Sequence, residues 1–197
     1  MRLFVALNLP EAQQAAIHAH ARFLRELDLP VRWVAPETIH LTLRFLGEVD
    51  EARAGEVKAA IGRVAARFSP FSVPIGGFGV FPSVMRPRVF WVGVEATPEL
   101  TRLHRELEAE LAGLGFPPEP QPFHPHLTLG RAQREARPSD FRGLPEWSSR
   151  WRYRDVLAVQ SVDLMQSHLS PQGARYQRIV AARLGVPPEE GTMGTRS

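Results

Sequence analysis

Ile39-His40-Leu41-Thr42-Leu43-Arg44-Phe45-Leu46-Gly47 alternates polar and apolar side chains, and its first motif returns as His126-Leu127-Thr128-Leu129 within Pro125 to Arg131. Alternation with period two is the signature of a half-buried β-strand, closed in the first copy by Gly47. In a strand, residues two apart share a face. Each copy therefore offers an imidazole and a hydroxyl side by side, with both leucines on the opposite face where a helix can cover them. One such tetrapeptide is ordinary sheet. Two in an identical context point to a duplicated unit.

Working outward, Arg2 to Leu9 is rich in β-formers, and Pro10 to Leu27 sets Ala15, Ala16, Ala19, Phe23 and Leu24 at helical spacing behind a Pro-Glu start. Val31 to Val34 reads as extended and Ile39 to Leu46 as the motif strand. Asp50 caps a helix running to about Phe68, with Val57, Ile61 and Val64 on one stripe. Phe71 to Phe81 and Arg88 to Glu95 are strands joined by the loop Pro82 to Pro87. Thr97-Pro98-Glu99 then opens a second long helix carrying Leu100, Leu103, Leu107 and Leu111, ending at Gly113 to Gly115. After a proline-rich loop come His126 to Arg131, one or two strands over Arg152 to His168, and a closing strand from Tyr176 to Leu184.

This order predicts an α+β fold of two pseudo-symmetric lobes, each an antiparallel-rich sheet with helices outside, and an active-site cleft between them. One bilobal domain is expected over residues 1–185, with a flexible tail over 186–197.

Composition narrows the chemistry. At 197 residues and 44% hydrophobic, the chain can bury a substantial core. It has no cysteine, which excludes disulfides, thiolate nucleophiles and cysteine-ligated zinc. Of its 24 basic residues only Lys58 is lysine, and arginine's planar fork suits phosphate oxygens, although a net charge of +3 decides little by itself. The amino terminus lacks the pattern of a signal peptide, and no run approaches the ~18–20 apolar residues needed to span a bilayer. The expectation is a soluble, cytoplasmic protein with no membrane association.

Two imidazoles and two hydroxyls facing one small anion suit hydrolysis of a cyclic phosphodiester. A neutral imidazole takes a proton from water while a protonated one gives a proton to the departing ribose oxygen, and an ordinary pKa of ~6.5 populates both forms. The hydroxyls donate to non-bridging oxygens as charge develops.

The paired motifs resemble those of the 2H phosphoesterases, in particular the RNA 2′,3′-cyclic phosphodiesterases also described as 2′-5′ RNA ligases. Arg2-Leu3-Phe4-Val5-Ala6-Leu7, His40 to Gly47, Gly79-Val80-Phe81-Pro82, Pro125 to Arg131 and Gly173-Ala174-Arg175-Tyr176 follow that subfamily in order, from Met1 to about Leu184. The resemblance implies His40 as proton donor, His126 as proton acceptor, and Thr42 and Thr128 as phosphate-binding residues. It further implies a substrate that is RNA or a nucleotide ending in a 2′,3′-cyclic phosphate, a 2′-phosphate product, and reversible 2′-5′ ligation. No cofactor, no metal and no obligate protein partner are expected.

Arg44 and Arg131, just beyond the motifs, are candidate phosphate contacts. Simple alternation puts Arg44 on the face of His40 and Thr42, whereas Arg131 follows His126 less directly. Arg150, Arg152 and Arg154 alternate with Trp151 and Tyr153, as a basic-faced edge strand would, and Arg175-Tyr176 is a possible border of the site. His124-Pro125-His126 raises a zinc reading, disfavoured because no third ligand stands at a recognisable spacing. Two other readings compete: a nucleotide-binding module without catalysis, and a cyclic phosphodiesterase for a small nucleotide or ADP-ribose derivative.

Overall fold

The computed structural model describes residues 1–170 and 173–187. Most of the tail expected over 186–197 lies outside the described residues. The elements run β1 (Arg2–Asn8), α1 (Glu11–His20), α2 (Arg22–Arg25), β2 (Val31–Trp33), β3 (His40–Glu48), α3 (Glu51–Ala66), β4 (Phe71–Phe81), β5 (Val89–Val94), α4 (Pro98–Gly113), β6 (His126–Ala132), α5 (Leu144–Arg150), β7 (Arg154–Val159), β8 (Ser161–Ser170) and β9 (Gly173–Arg183).

The strands hydrogen-bond in the order β7-β4-β5-β6-β3-β1-β8-β9, with β2 added to β6. Every pairing is antiparallel. The order is a palindrome about its centre: β5, α4 and β6 mirror β1, α1 and β3, and the two motif strands are innermost. Two pseudo-symmetric lobes of an α+β fold follow from this, as the duplicated motif predicts. The half-chains interchange, however. The first half gives β1 and β3 to one lobe and β2 and β4 to the other, while β8 and β9 from the second half return beside β1.

Within the sheet the lobes join at the register pair Leu41 opposite Leu127. Both leucines are fully buried, and with Leu43 and Leu129 they join the core beneath the sheet. The long helices seal that core as their patterns require. Asp50 accepts a hydrogen bond from the Arg53 amide (2.8 Å) to cap α3, and Thr97 caps α4 through the Leu100 amide (3.3 Å). Such caps are worth ~1 kcal/mol each. Leu100, Leu103, Leu107 and Leu111 all turn inward, each worth ~1.5–3 kcal/mol of apolar burial.

Three local expectations are corrected. The expected helix from Pro10 to Leu27 breaks at Ala21, and its buried stripe is Gln14, Ile17, Ala21 and Leu24, with Ala15, Ala16 and Ala19 in solvent. Alanine carries too little apolar area to choose a face, so Ile17 and Leu24 decide it. Residues 144–150, which the sequence reading assigns to no element, form α5, with proline in the first turn where its missing N–H costs nothing. The basic-faced strand over residues 150–154 does not form: Arg150 ends α5 with its guanidinium over Phe23, and Trp151 is buried against Phe78 and His20. No helix among the described residues is long and apolar enough to cross a membrane.

Candidate active site

Because β3 and β6 run antiparallel and pair at Leu41 and Leu127, one step either way puts His40 across from Thr128 and Thr42 across from His126. All four side chains rise on the face away from the core and are half-buried. The duplicated motif thus becomes a crossed quartet astride the seam between the lobes.

Backbone carbonyls fix both rings in the same tautomer. Nδ1 of His40 lies 2.7 Å from the Thr38 carbonyl oxygen, and Nδ1 of His126 lies 2.7 Å from that of His124. A carbonyl only accepts, so each Nδ1 carries the proton and each neutral ring presents an unprotonated Nε2. Gln14 supports the first arrangement, donating through Nε2 to the Ile39 carbonyl (2.8 Å) and tying the Thr38 turn to α1. The two sites then differ: Nε2 of His40 sits 2.9 Å from the Thr42 hydroxyl, whereas Nε2 of His126 has no hydrogen-bond partner among the described residues.

Burial pushes the His40 pKa down to about 4, opposed by its bond to the Thr38 carbonyl and assisted by the charges of His126 and Arg131. His126 is also lowered, again chiefly by burial, with Arg131 and His124 adding to the effect. The unliganded site therefore holds neutral imidazoles at pH 7.

Aromatic rings wall the quartet. Phe4 and Tyr176 lie 5.0 and 5.2 Å from the His40 ring, and Phe81 meets His126 edge-on at 5.0 Å with Trp91 behind. The Trp91 indole lies flat across Gly79, where a Cβ would come within 2.2 Å of the ring, so only glycine leaves room for it. Beside His40, Asn8 is its register partner on β1 and donates to buried Asp163 at 2.6 Å. A cavity of about 350 Å³ opens next to Phe4 and Tyr176 and is rimmed by Arg2, Phe45 and Arg131, a size and lining suited to a nucleotide.

The arginine expectations reverse. Pairing jumps from Thr42 to Arg44 on β3 and from Thr128 to Gly130 on β6, so Leu43 and Leu129 are the extra residues of matching β-bulges. A bulge flips the alternation beyond it. Arg44 consequently turns toward the helices, is 5% exposed, pairs with Glu108 on α4 at 2.9 Å and donates to the Pro117 carbonyl. Arg131, one residue later in phase, emerges on the quartet's face, close enough to depress both histidines. Tyr176 borders the site while Arg175 is exposed in β9. His124 contributes its carbonyl, and no group of three or more histidine, aspartate or glutamate side chains among the described residues is arranged to hold a metal ion.

Phe4, Phe81 and Trp91 were not singled out from sequence. A signal existed for Phe4, since β1 is apolar on both faces and the second face needed a purpose.

The sequence pattern of the LigT-like phosphoesterases matches this chain twice, over residues 7–91 and 92–176. A Methanothermobacter thermautotrophicus protein named RNA 2′,3′-cyclic phosphodiesterase is 32% identical over 186 residues, 93% of this chain and 99% of that protein. A Thermotoga maritima protein of the same name is 41% identical over 133 residues, 68% of this chain and 71% of that one. The solved Thermus thermophilus protein TT0787 superposes with a TM-score of 0.74 at 30% identity, covering 94% of this chain and 98% of its own.

Proposed function

Since the chain belongs to the LigT-like family of 2H phosphoesterases, we propose that it hydrolyses the 2′,3′-cyclic phosphate at RNA 3′ ends, leaving a 2′-phosphate, by two-histidine acid–base catalysis. The observation that carries this reading is the crossed quartet: two imidazoles with Nδ1 fixed and Nε2 left unprotonated on the open face, each opposite a threonine of the other motif.

In the proposed reaction His126 takes a proton from water through its unpartnered Nε2, and the water oxygen bonds to phosphorus. The bond from phosphorus to the ribose 3′-oxygen breaks, and that oxygen receives the proton held on Nε2 of His40. Thr42, Thr128 and Arg131 stabilise the non-bridging oxygens. Donor and acceptor are assigned by family resemblance, and the assignment carries a requirement. Burial disfavours protonated His40 more strongly than protonated His126 in the empty site, so the substrate must promote its own donor. A phosphate anion within hydrogen-bond reach raises an imidazole pKa by ~1–3 units, which returns His40 to the range where it holds a proton. Neither proton transfer needs a metal. With a 5′-hydroxyl in place of water, the same path, attack on phosphorus with loss of the 3′-oxygen protonated by His40, makes a 2′-5′ linkage, and its reverse cleaves that linkage back to the cyclic phosphate.

Purified protein should convert a nucleoside 2′,3′-cyclic phosphate and an RNA with the same end to phosphomonoesters, and His40→Ala and His126→Ala should each lose on the order of 10²–10⁴ in turnover. Near wild-type rates in either variant, with circular dichroism unchanged, would remove that residue from the mechanism. Binding of both substrates by wild type without turnover would leave a nucleotide-binding module.

A further inference from the structure

The palindrome of the two lobes is broken at one place. At the position of β6 that corresponds to Arg44 of β3 stands Gly130, where a Cβ would come 2.7 Å from Val31 Cγ1 and 2.8 Å from the Trp33 ring. Glycine there lets β2 add to β6, and that pairing sets Arg32 directly opposite Arg131. Like charges facing each other across a ladder destabilise it. Neither arginine makes an ion pair among the described residues, and both are exposed. Arg63 and Arg67 pair with Glu110, and Arg102 with Glu106, whereas Arg32, Arg131 and Arg134 have no carboxylate ion-paired to them among the described residues. Two guanidinium groups side by side next to the quartet offer a phosphate oxygen more than one charged donor.

Its surroundings fit that reading. Arg32 and Arg131 line a groove of about 500 Å³ together with Arg134. Glu135 also lines it but forms no ion pair with them among the described residues. Arg131 lines both this groove and the aromatic cavity beside His40, so the two adjoin at that residue. An RNA ending in a cyclic phosphate continues only in its 5′ direction, and the next anionic group along it is the internucleotide phosphate.

We propose that Arg32 and Arg134 form a subsite for the internucleotide phosphate 5′ of the terminal nucleotide, making the enzyme prefer oligonucleotide ends to free cyclic nucleotides. The proposal rests on the hydrolytic reading above. Its test compares kcat/KM for a nucleoside 2′,3′-cyclic phosphate, a dinucleotide with the same cyclic end, and that dinucleotide with a neutral methylphosphonate linkage. A charge-assisted contact predicts an advantage of about tenfold for the dinucleotide over the mononucleotide in wild type. The advantage should vanish with the neutral linkage and in Arg32→Gln/Arg134→Gln, while mononucleotide turnover stays within about twofold. It should also shrink as salt screens the groove. Equal rates on all three substrates, or an advantage that survives the neutral linkage or the double variant, would overturn the subsite while leaving the hydrolytic reading intact. Wild type inactive on all three would overturn the hydrolytic reading, and the subsite with it.

Discussion

Arg44 and Arg131 stand at neighbouring places in the two motifs yet should fail in opposite ways. Arg44→Met removes the partner of Glu108 and the donor to the Pro117 carbonyl. Breaking a fully buried ion pair from one side costs ~3–5 kcal/mol, because the remaining charge is left without compensation. Glu108 keeps 21% exposure, so water reaches it and the expected loss is lower, about 2–3 kcal/mol. For a domain of this size ~1 kcal/mol moves Tm by ~2–4 °C, giving a fall of roughly 4–12 °C. At 25 °C, with the variant folded, kcat/KM on a cyclic nucleotide should stay within about threefold of wild type, because the guanidinium lies on the core side of the sheet. Arg131→Met should do the reverse: Tm nearly unchanged, and kcat/KM down about 10²-fold for the loss of a charged donor at the phosphate. Thermal melts by circular dichroism beside steady-state kinetics read both quantities. An Arg44→Met protein with wild-type Tm and crippled kcat/KM would refute the bulge argument and return Arg44 to the substrate face.

Two further outcomes follow from the site. Burial lowers both imidazoles, so the singly protonated free enzyme peaks between two coupled pKa values below the usual ~6.5. The optimum of kcat/KM should therefore be acidic, and that of kcat displaced toward neutrality by the bound anion; a kcat/KM optimum above pH 7.5 contradicts the burial argument. Exhaustive chelation should leave the rate unchanged, and activity abolished by chelator and restored by zinc or manganese would overturn the proton-transfer scheme.

The two-lobed plan was readable because His-Leu-Thr-Leu repeats in a context where leucine and His/Thr must occupy opposite faces, and because Asp50, Thr97 and the leucines of α4 announce their helices. What alternation could not reveal was its own interruption. Leu43 and Leu129 look like any core leucine, and only the register with β1 and β5 exposes them as bulge residues, so Arg44 and Arg131 exchanged the faces their spacing suggested. Interchange of the half-chains was equally hidden, since pairing of β8 with β1 is a long-range choice that no local pattern encodes. The carbonyls of Thr38 and His124, which set both tautomers, belong to the backbone and leave no mark on side-chain chemistry.

Hydrolysis with a defined direction is the central claim, and a nearly symmetric quartet makes direction the harder part. The Nε2 of His40 is tied to Thr42 while that of His126 is bare, and Arg131 on one motif is matched by Phe45 on the other. In the proposed reaction these inequalities hold the ribose with its 3′-oxygen toward His40. Phosphorus NMR of the product from a nucleoside 2′,3′-cyclic phosphate, compared with authentic 2′- and 3′-monophosphates, reads catalysis and orientation together. The 2′-phosphate should predominate; a predominantly 3′-phosphate product, or unchanged cyclic phosphate, would contradict the account.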